Sequence, residues 1–362
     1  MKRFVHGGDV FGVARELGLP PSAILDFSAS INPLGMPPGV RQAALAALEQ
    51  SVHYPEPDAS SLTAALADHL GLPAANILPG SGSTELLYHS LRVLQPRRAL
   101  LVVPAFSEYE RALQLVRTKI DFFDLSPDDD FCLDADRLLR RLTPETDLIL
   151  LANPGNPGGS GIAPATIEYL ARAVREQAVV AVDEAFVDFA PQLSVIDRVP
   201  AHGNLYVLRS LTKFYAIPGL RAGYLVGQAQ GIALLAASRP PWPFSTVAQA
   251  AAEACLREEA YRQQTLRLIP DLRRQLAAGL SGLGLTVFPS VANYLLARIE
   301  NAQQSADELA AALRSRNILI RDCTTFLPLD ARYFRVAVRT AEENETLLRS
   351  LREVLVAAGR KG

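Results

Sequence analysis

Residues 164–186 read PATIEYLARAVREQAVVAVDEAF. Residues 164–176 space their apolar side chains at helical period, and residues 178–182 form an unbroken apolar run that ends in Asp183. A strand that is apolar on both faces must be covered on both, which is the situation of a parallel sheet between layers of helices. The unit recurs. Further apolar runs stand at 99–103 (ALLVV), 147–152 (DLILLA), 205–208 (LYVL) and 223–227 (GYLVG), and helical patterns at 85–94 and 108–116. The middle of the chain is therefore expected to be an α/β domain with a mostly parallel sheet.

The pattern changes after RPPWPFS at 239–245. One long helical stretch over about 246–280 is expected next, then short strands near LTVF, YLLARI, ILIRD and YFRVAV, with helices near 305–314 and 341–357. Such an order suggests a smaller α+β domain packed on the first. The expected division is 1–45 for an N-terminal arm and part of the small domain, 46–255 for the large domain and 256–362 for the small C-terminal one.

A chain of 362 residues, 49% hydrophobic, can bury a large core, and its net charge of −2 gives no basic excess for a nucleic-acid partner. Cys132, Cys255 and Cys323 are odd in number and far apart, which suits reduced thiols in a cytoplasm and no metal site. The basic start is followed by no apolar run, and no stretch approaches the ~20 apolar residues of a membrane span. A soluble, cytoplasmic protein is expected.

Sites in open α/β sheets form beyond the strand ends. Asp183 is either a capping or salt-bridged carboxylate or one kept to meet a cation. NPGNPGG, residues 153–159, is either a plain turn or a loop presenting Asn156. PGSGSTELL, residues 79–87, puts Ser83 and Thr84 at a helix start, an anion cradle that fits neither the P-loop nor the GxGxxG pattern. LRSLTKFYAIPGLRAGYLVG, residues 208–227, sets Lys213 after Ser210 and Thr212 and before Arg221. Arg221 suits a phosphate, and an amine that is to condense with an aldehyde must be unprotonated and held in place.

Taken together, these segments resemble the fold type I pyridoxal-phosphate enzymes, and the resemblance covers nearly the whole chain. It implies pyridoxal 5'-phosphate as cofactor and a homodimer with shared active sites. Ser83, Thr84, Ser210, Thr212 and Arg221 would hold the cofactor phosphate, Asp183 the pyridine nitrogen, Asn156 the phenolic oxygen and Lys213 the aldehyde. Phe106 in PAFSEY would stack on the ring, and Tyr54 in HYPEP would reach the phosphate across the dimer. Arg335 in YFRVAV matches the arginine that binds the substrate's acid group. Phe186 stands where many aminotransferases have tyrosine and cannot donate a hydrogen bond, which leaves more of that work to Asn156.

Within the family, HGGD at 6–9, LDFSASINPLGMP at 25–37, ILIRDC at 318–323 and YFRVAVRTAEEN at 333–344 resemble threonine-phosphate decarboxylases. Histidinol-phosphate aminotransferases are the alternative, and a non-catalytic protein that kept the fold is a third. A small phosphorylated amino-acid substrate is implied. For it His6, Gly7, Gly8, Asn32, Asn156, Arg321 and Arg335 are the expected contacts; His6 is otherwise an unstructured terminal histidine.

Overall fold

The computed structural model describes residues 6–301 and 304–359. Its centre is a seven-stranded sheet of β1 (Ile77–Gly80), β2 (Arg98–Val103), β3 (Lys119–Asp124), β4 (Leu148–Ala152), β5 (Val179–Asp183), β6 (Leu205–Ser210) and β7 (Gly223–Val226). The spatial order is β1-β7-β6-β5-β4-β2-β3, parallel except for β7, which runs against both of its neighbours.

Successive residues of one strand enter opposite cores. Leu100 and Val102 of β2 join one apolar cluster with Leu62, Leu66, Ile167 and Leu170, while Leu101 and Val103 join another with Leu86, Leu87, Leu91 and Leu113. Both faces are thus covered by helices, as the unbroken apolar runs require.

The two strands not marked by such runs are the two sheet edges. β1 holds Pro79, which has no N–H to give a neighbour on either side, and β3 reads Lys-Ile-Asp-Phe-Phe-Asp. Edge strands carry proline and charge because those residues discourage a further strand from pairing.

The expected long helix over 246–280 is two helices, Thr246–Cys255 and Glu259–Ser281. Glu258 leaves helical geometry (φ −85°, ψ 53°), and the N–H groups of Arg257 and Glu258 bond only three residues back, to Ala254 and Cys255. The last turn tightens and stops there. Beyond it, β8 (Leu285–Val287), β9 (Tyr294–Ile299), β10 (Arg321–Asp322) and β11 (Tyr333–Ala337) form an antiparallel sheet in the order β10-β11-β9-β8. Near the N-terminus, Leu25–Asp26 pairs in parallel with Ile318–Leu319, which ties the start of the chain to this C-terminal half.

Candidate active site

Five strands end or begin at one edge of the large sheet. Gly223 pairs with Gly80 on one side and Ser210 on the other, and Asp183 pairs with Leu208 and Ala152. The segments holding Ser83, Asn156, Lys213 and Arg221 all emerge there.

At one end lies a cup for an anion. Helix Ser83–Leu94 starts after Gly82, whose φ of 92° favours glycine. A Cβ on Gly82 would lie 2.8 Å from Arg221 Nη2, and one on Gly223 would lie 2.6 Å from the Arg209 carbonyl oxygen and 2.7 Å from the Ser83 nitrogen. Only glycines let the helix N-terminus, the Arg221 guanidinium and β7 approach so closely. The hydroxyls of Ser210 and Thr212 are 2.8 Å apart, and Arg221 Nη1 donates to the Pro218 carbonyl at 3.1 Å. Free helix N–H groups, hydroxyls and a guanidinium make a phosphate site.

Lys213 Nζ donates to Ser210 Oγ at 3.3 Å and lies 5.8 Å from the centre of the Phe186 ring. Burial lowers the amine's pKa to about 8, with Asp183 opposing the shift and Arg221 and Arg335 adding to it. Asp183 is buried, and burial raises its pKa. Against that, Tyr109 donates to its Oδ2 at 2.7 Å and the Ala185 N–H to its Oδ1 at 2.9 Å. No Lys or Arg forms an ion pair with it among the described residues, and the Ala185 bond caps the local turn while Tyr109 takes the other oxygen.

Tyr109 carries no signal in the sequence that points to the site. It lies three residues past Phe106 on helix Ser107–Leu115, so one turn brings it back beside that ring, edge-on at 5.8 Å. Ser28 is likewise unmarked. Its carbonyl accepts from Arg335 Nη2 at 3.0 Å and its hydroxyl from the Gly8 N–H at 2.8 Å.

Arg321 and Arg335 face each other across the β10–β11 pair, and both are buried. Arg335 Nη1 donates to Asn156 Oδ1 at 2.5 Å, and its guanidinium lies over Tyr294 at 5.0 Å. Arg321 Nη2 donates to Thr325 Oγ1 at 3.0 Å, with the guanidinium over Phe326 at 5.1 Å. Neither forms an ion pair with a carboxylate among the described residues. Because Arg335 takes the carbonyl oxygen of Asn156, the amide nitrogen is the group Asn156 has left to donate with.

His6, Gly7 and Gly8 lie alongside. His6 is 5.7 Å from the Phe106 ring, and a Cβ on Gly7 would fall 2.2 Å from the Ser28 carbonyl oxygen. A cavity of about 910 Å³ lies between this arm and the C-terminal half, lined by His6, Gly8, Arg15, Arg314 and Arg321 among others, and its lining includes neither Lys213, Asp183, Asn156 nor Arg335.

Asn32 does not fit the expected substrate contact. Its Nδ2 donates to the Phe214 carbonyl at 2.8 Å and to Thr265 Oγ1 at 2.9 Å, and its Oδ1 accepts from the Leu34 N–H at 3.1 Å. Both amide donors are used within the protein. Its backbone N–H bonds the Lys213 carbonyl at 3.0 Å, so Asn32 braces the lysine segment instead. Tyr54 is exposed and stacks on Trp242 at 4.6 Å, and the next residue, Pro243, accepts at its carbonyl from Ser81 Oγ at 2.6 Å.

The family model for class I and II aminotransferases matches residues 22–351. The chain belongs to the class I and II aminotransferase family. Within it, the chain is 40% identical to the threonine-phosphate decarboxylase of Salmonella typhimurium, across 97% of this chain and 96% of that one. It is 33% identical to histidinol-phosphate aminotransferase 2 of Ralstonia nicotianae, across 98% and 95%. Among solved structures, L-threonine-O-3-phosphate decarboxylase from Porphyromonas gingivalis is similar at 26% identity and a TM-score of 0.81, covering 92% of this chain and 99% of that one. The class I and II aminotransferase site described here fits a phosphorylated aldehyde cofactor: a glycine-lined cup for its anion, and an amine of lowered basicity beside it.

Proposed function

We propose that this chain catalyses the pyridoxal-phosphate-dependent decarboxylation of L-threonine O-3-phosphate to (R)-1-amino-2-propanol O-2-phosphate and carbon dioxide, a step of cobalamin biosynthesis. The end-to-end likeness to the Salmonella decarboxylase carries this reading. Two buried arginines without carboxylate partners support it, since the substrate brings two anionic groups. In this reading Ser83, Thr84, Ser210, Thr212 and Arg221 hold the cofactor phosphate, Phe106 faces its ring and Asn156 its phenolic oxygen.

When bound, pyridoxal phosphate supplies an aldehyde for the substrate amine and a ring that accepts electrons from the bond being broken. The protein's part is to decide which bond that is. Residues that fix the substrate's orientation would therefore fix the reaction. Arg321 and Arg335, with His6 and the Gly7 and Gly8 amides, would hold the two anions and so fix which bond of the substrate breaks. Asp183, held by Tyr109 and the Ala185 N–H, would keep a negative charge by the ring nitrogen. Lys213 Nζ would deliver one solvent-derived proton to the carbon that loses carbon dioxide.

The expected product made in heavy water carries one deuterium at that carbon, with no oxoacid consumed. Mass spectrometry of the product checks both. A requirement for 2-oxoglutarate with accumulation of glutamate would replace the decarboxylase reading with histidinol-phosphate aminotransferase activity.

A homodimer in the cytoplasm belongs to the same reading. Tyr54 would complete the partner's cofactor site, and its exposure in one chain beside half-exposed Trp242 supports this. Provided that Tyr54→Phe alone is strongly impaired, mixing inactive Lys213→Ala with Tyr54→Phe subunits should restore about a quarter of the sites by random pairing in a two-fold dimer. A fully active monomer in sedimentation would refute the shared site.

A further inference from the structure

Glu108, on the helix that begins beside Phe106, is a buried carboxylate to which the reaction gives no task. Three groups converge on it. Tyr88 donates its hydroxyl to Oε2, Arg111 Nη1 lies 3.6 Å from the same oxygen, and His6 Nε2 lies 3.0 Å from Oε1. Burial, with the Glu108 bond adding to it, pushes the Tyr88 hydroxyl up to about 12, so Tyr88 stays a donor near neutral pH.

His6 is the first described residue of the N-terminal arm, and Glu108 is the charged group in contact with it. From His6 the contacts run on into the site. The imidazole leans on Phe106; Gly7 packs on the Ser28 carbonyl; Gly8 donates to Ser28 Oγ; and that same Ser28 carbonyl receives Arg335. On the other side of Gly8, Asp9 caps helix Val10–Leu17, and Glu16 of that helix pairs with Arg314. The arm is therefore fastened at two points, by Arg314 at its helix and by Glu108 at His6.

We propose that Glu108 is a positioning residue for substrate binding: by holding His6 it keeps the Gly7–Gly8 segment against Ser28, whose carbonyl receives Arg335. This rests on the decarboxylase reading above. Glu108 touches neither of the two arginines nor Lys213 among its contacts. Its loss should therefore weaken substrate binding while leaving the chemical step nearly intact.

The experiment compares Glu108→Gln, His6→Ala and the double variant as full-length, cofactor-loaded proteins. Glutamine keeps an oxygen for Tyr88 and loses the charge that His6 meets. KM for threonine phosphate should rise ~2-fold to ~5-fold in Glu108→Gln, the range for losing one partly exposed ion pair, with kcat unchanged within error. The double variant should be no worse than His6→Ala alone, because Glu108 acts through His6. Hydrogen exchange in the peptide that contains Gly8 should quicken in Glu108→Gln without substrate present, while the peptide over Ser83–Leu94 keeps its protection.

An unchanged KM would overturn the proposal, and so would effects of the two substitutions that multiply, or a Gly8 peptide whose exchange does not change. Unchanged threonine phosphate in the wild-type reaction would instead count against the decarboxylase reading, while the exchange result would still test the hold of Glu108 on the arm.

Discussion

Replacing Lys213 with alanine is expected to lower kcat by ~10³-fold or more while the protein still binds its cofactor. Positioned proton transfer alone contributes ~10²-fold to ~10⁴-fold, and the amine that would meet the aldehyde disappears as well. Binding should persist because the cup is built elsewhere, from the start of helix Ser83–Leu94, the Ser210 and Thr212 hydroxyls and Arg221. Borohydride reduction followed by mass analysis checks the assignment, and a reducible protein–cofactor bond surviving in Lys213→Ala would defeat it. The wild-type amine adds a pH signature. Its pKa of about 8 means that it is mostly protonated, and inert toward an aldehyde, below that pH. Covalent capture of added cofactor by the cofactor-free protein should therefore quicken as pH rises and level off above about 8.

Asp183→Asn is expected to cost ~10²-fold or more in turnover, by analogy with removing one preorganised electrostatic partner from a water-excluded site. Asparagine fills the same space and keeps an oxygen for Tyr109, so the change removes charge more than structure. The Ala185 N–H keeps its partner only if the amide is turned with that oxygen toward the backbone, and one oxygen cannot serve both donors. A thermal melt and the cofactor absorption band separate misfolding from lost chemistry. Near-normal turnover in Asp183→Asn would show that the ring nitrogen does not depend on this carboxylate.

What could be read in the sequence follows from how each feature is encoded. The central strands are legible because burial on both faces forces unbroken apolar runs, as at 148–151 and 205–208. β1 and β3 are not, since edges are written in proline and charge, the same residues that mark loops. Most of the residues expected on the cofactor stand in local motifs at or close to a strand end, as Asp183, Ser210 and Lys213 do. Tyr109 and Ser28 reach the site only through tertiary packing, and a tyrosine one turn into a helix looks like any core tyrosine. Asn32 shows the reverse error. A polar residue in a turn beside family motifs suggested a ligand contact, and the structure spends its amide on the Phe214 carbonyl and Thr265.

The pairing of Arg321 opposite Arg335 has a consequence for the resting protein. Like charges directly across an antiparallel pair repel, and both guanidiniums lie where water screens them poorly. The aromatic faces of Phe326 and Tyr294, and the nearby carboxylates of Asp322 and Asp26, soften that repulsion without forming an ion pair with either guanidinium among the described residues. In the proposed reading a dianionic substrate held by both arginines would relieve that repulsion, so its binding would also firm the sheet that receives it.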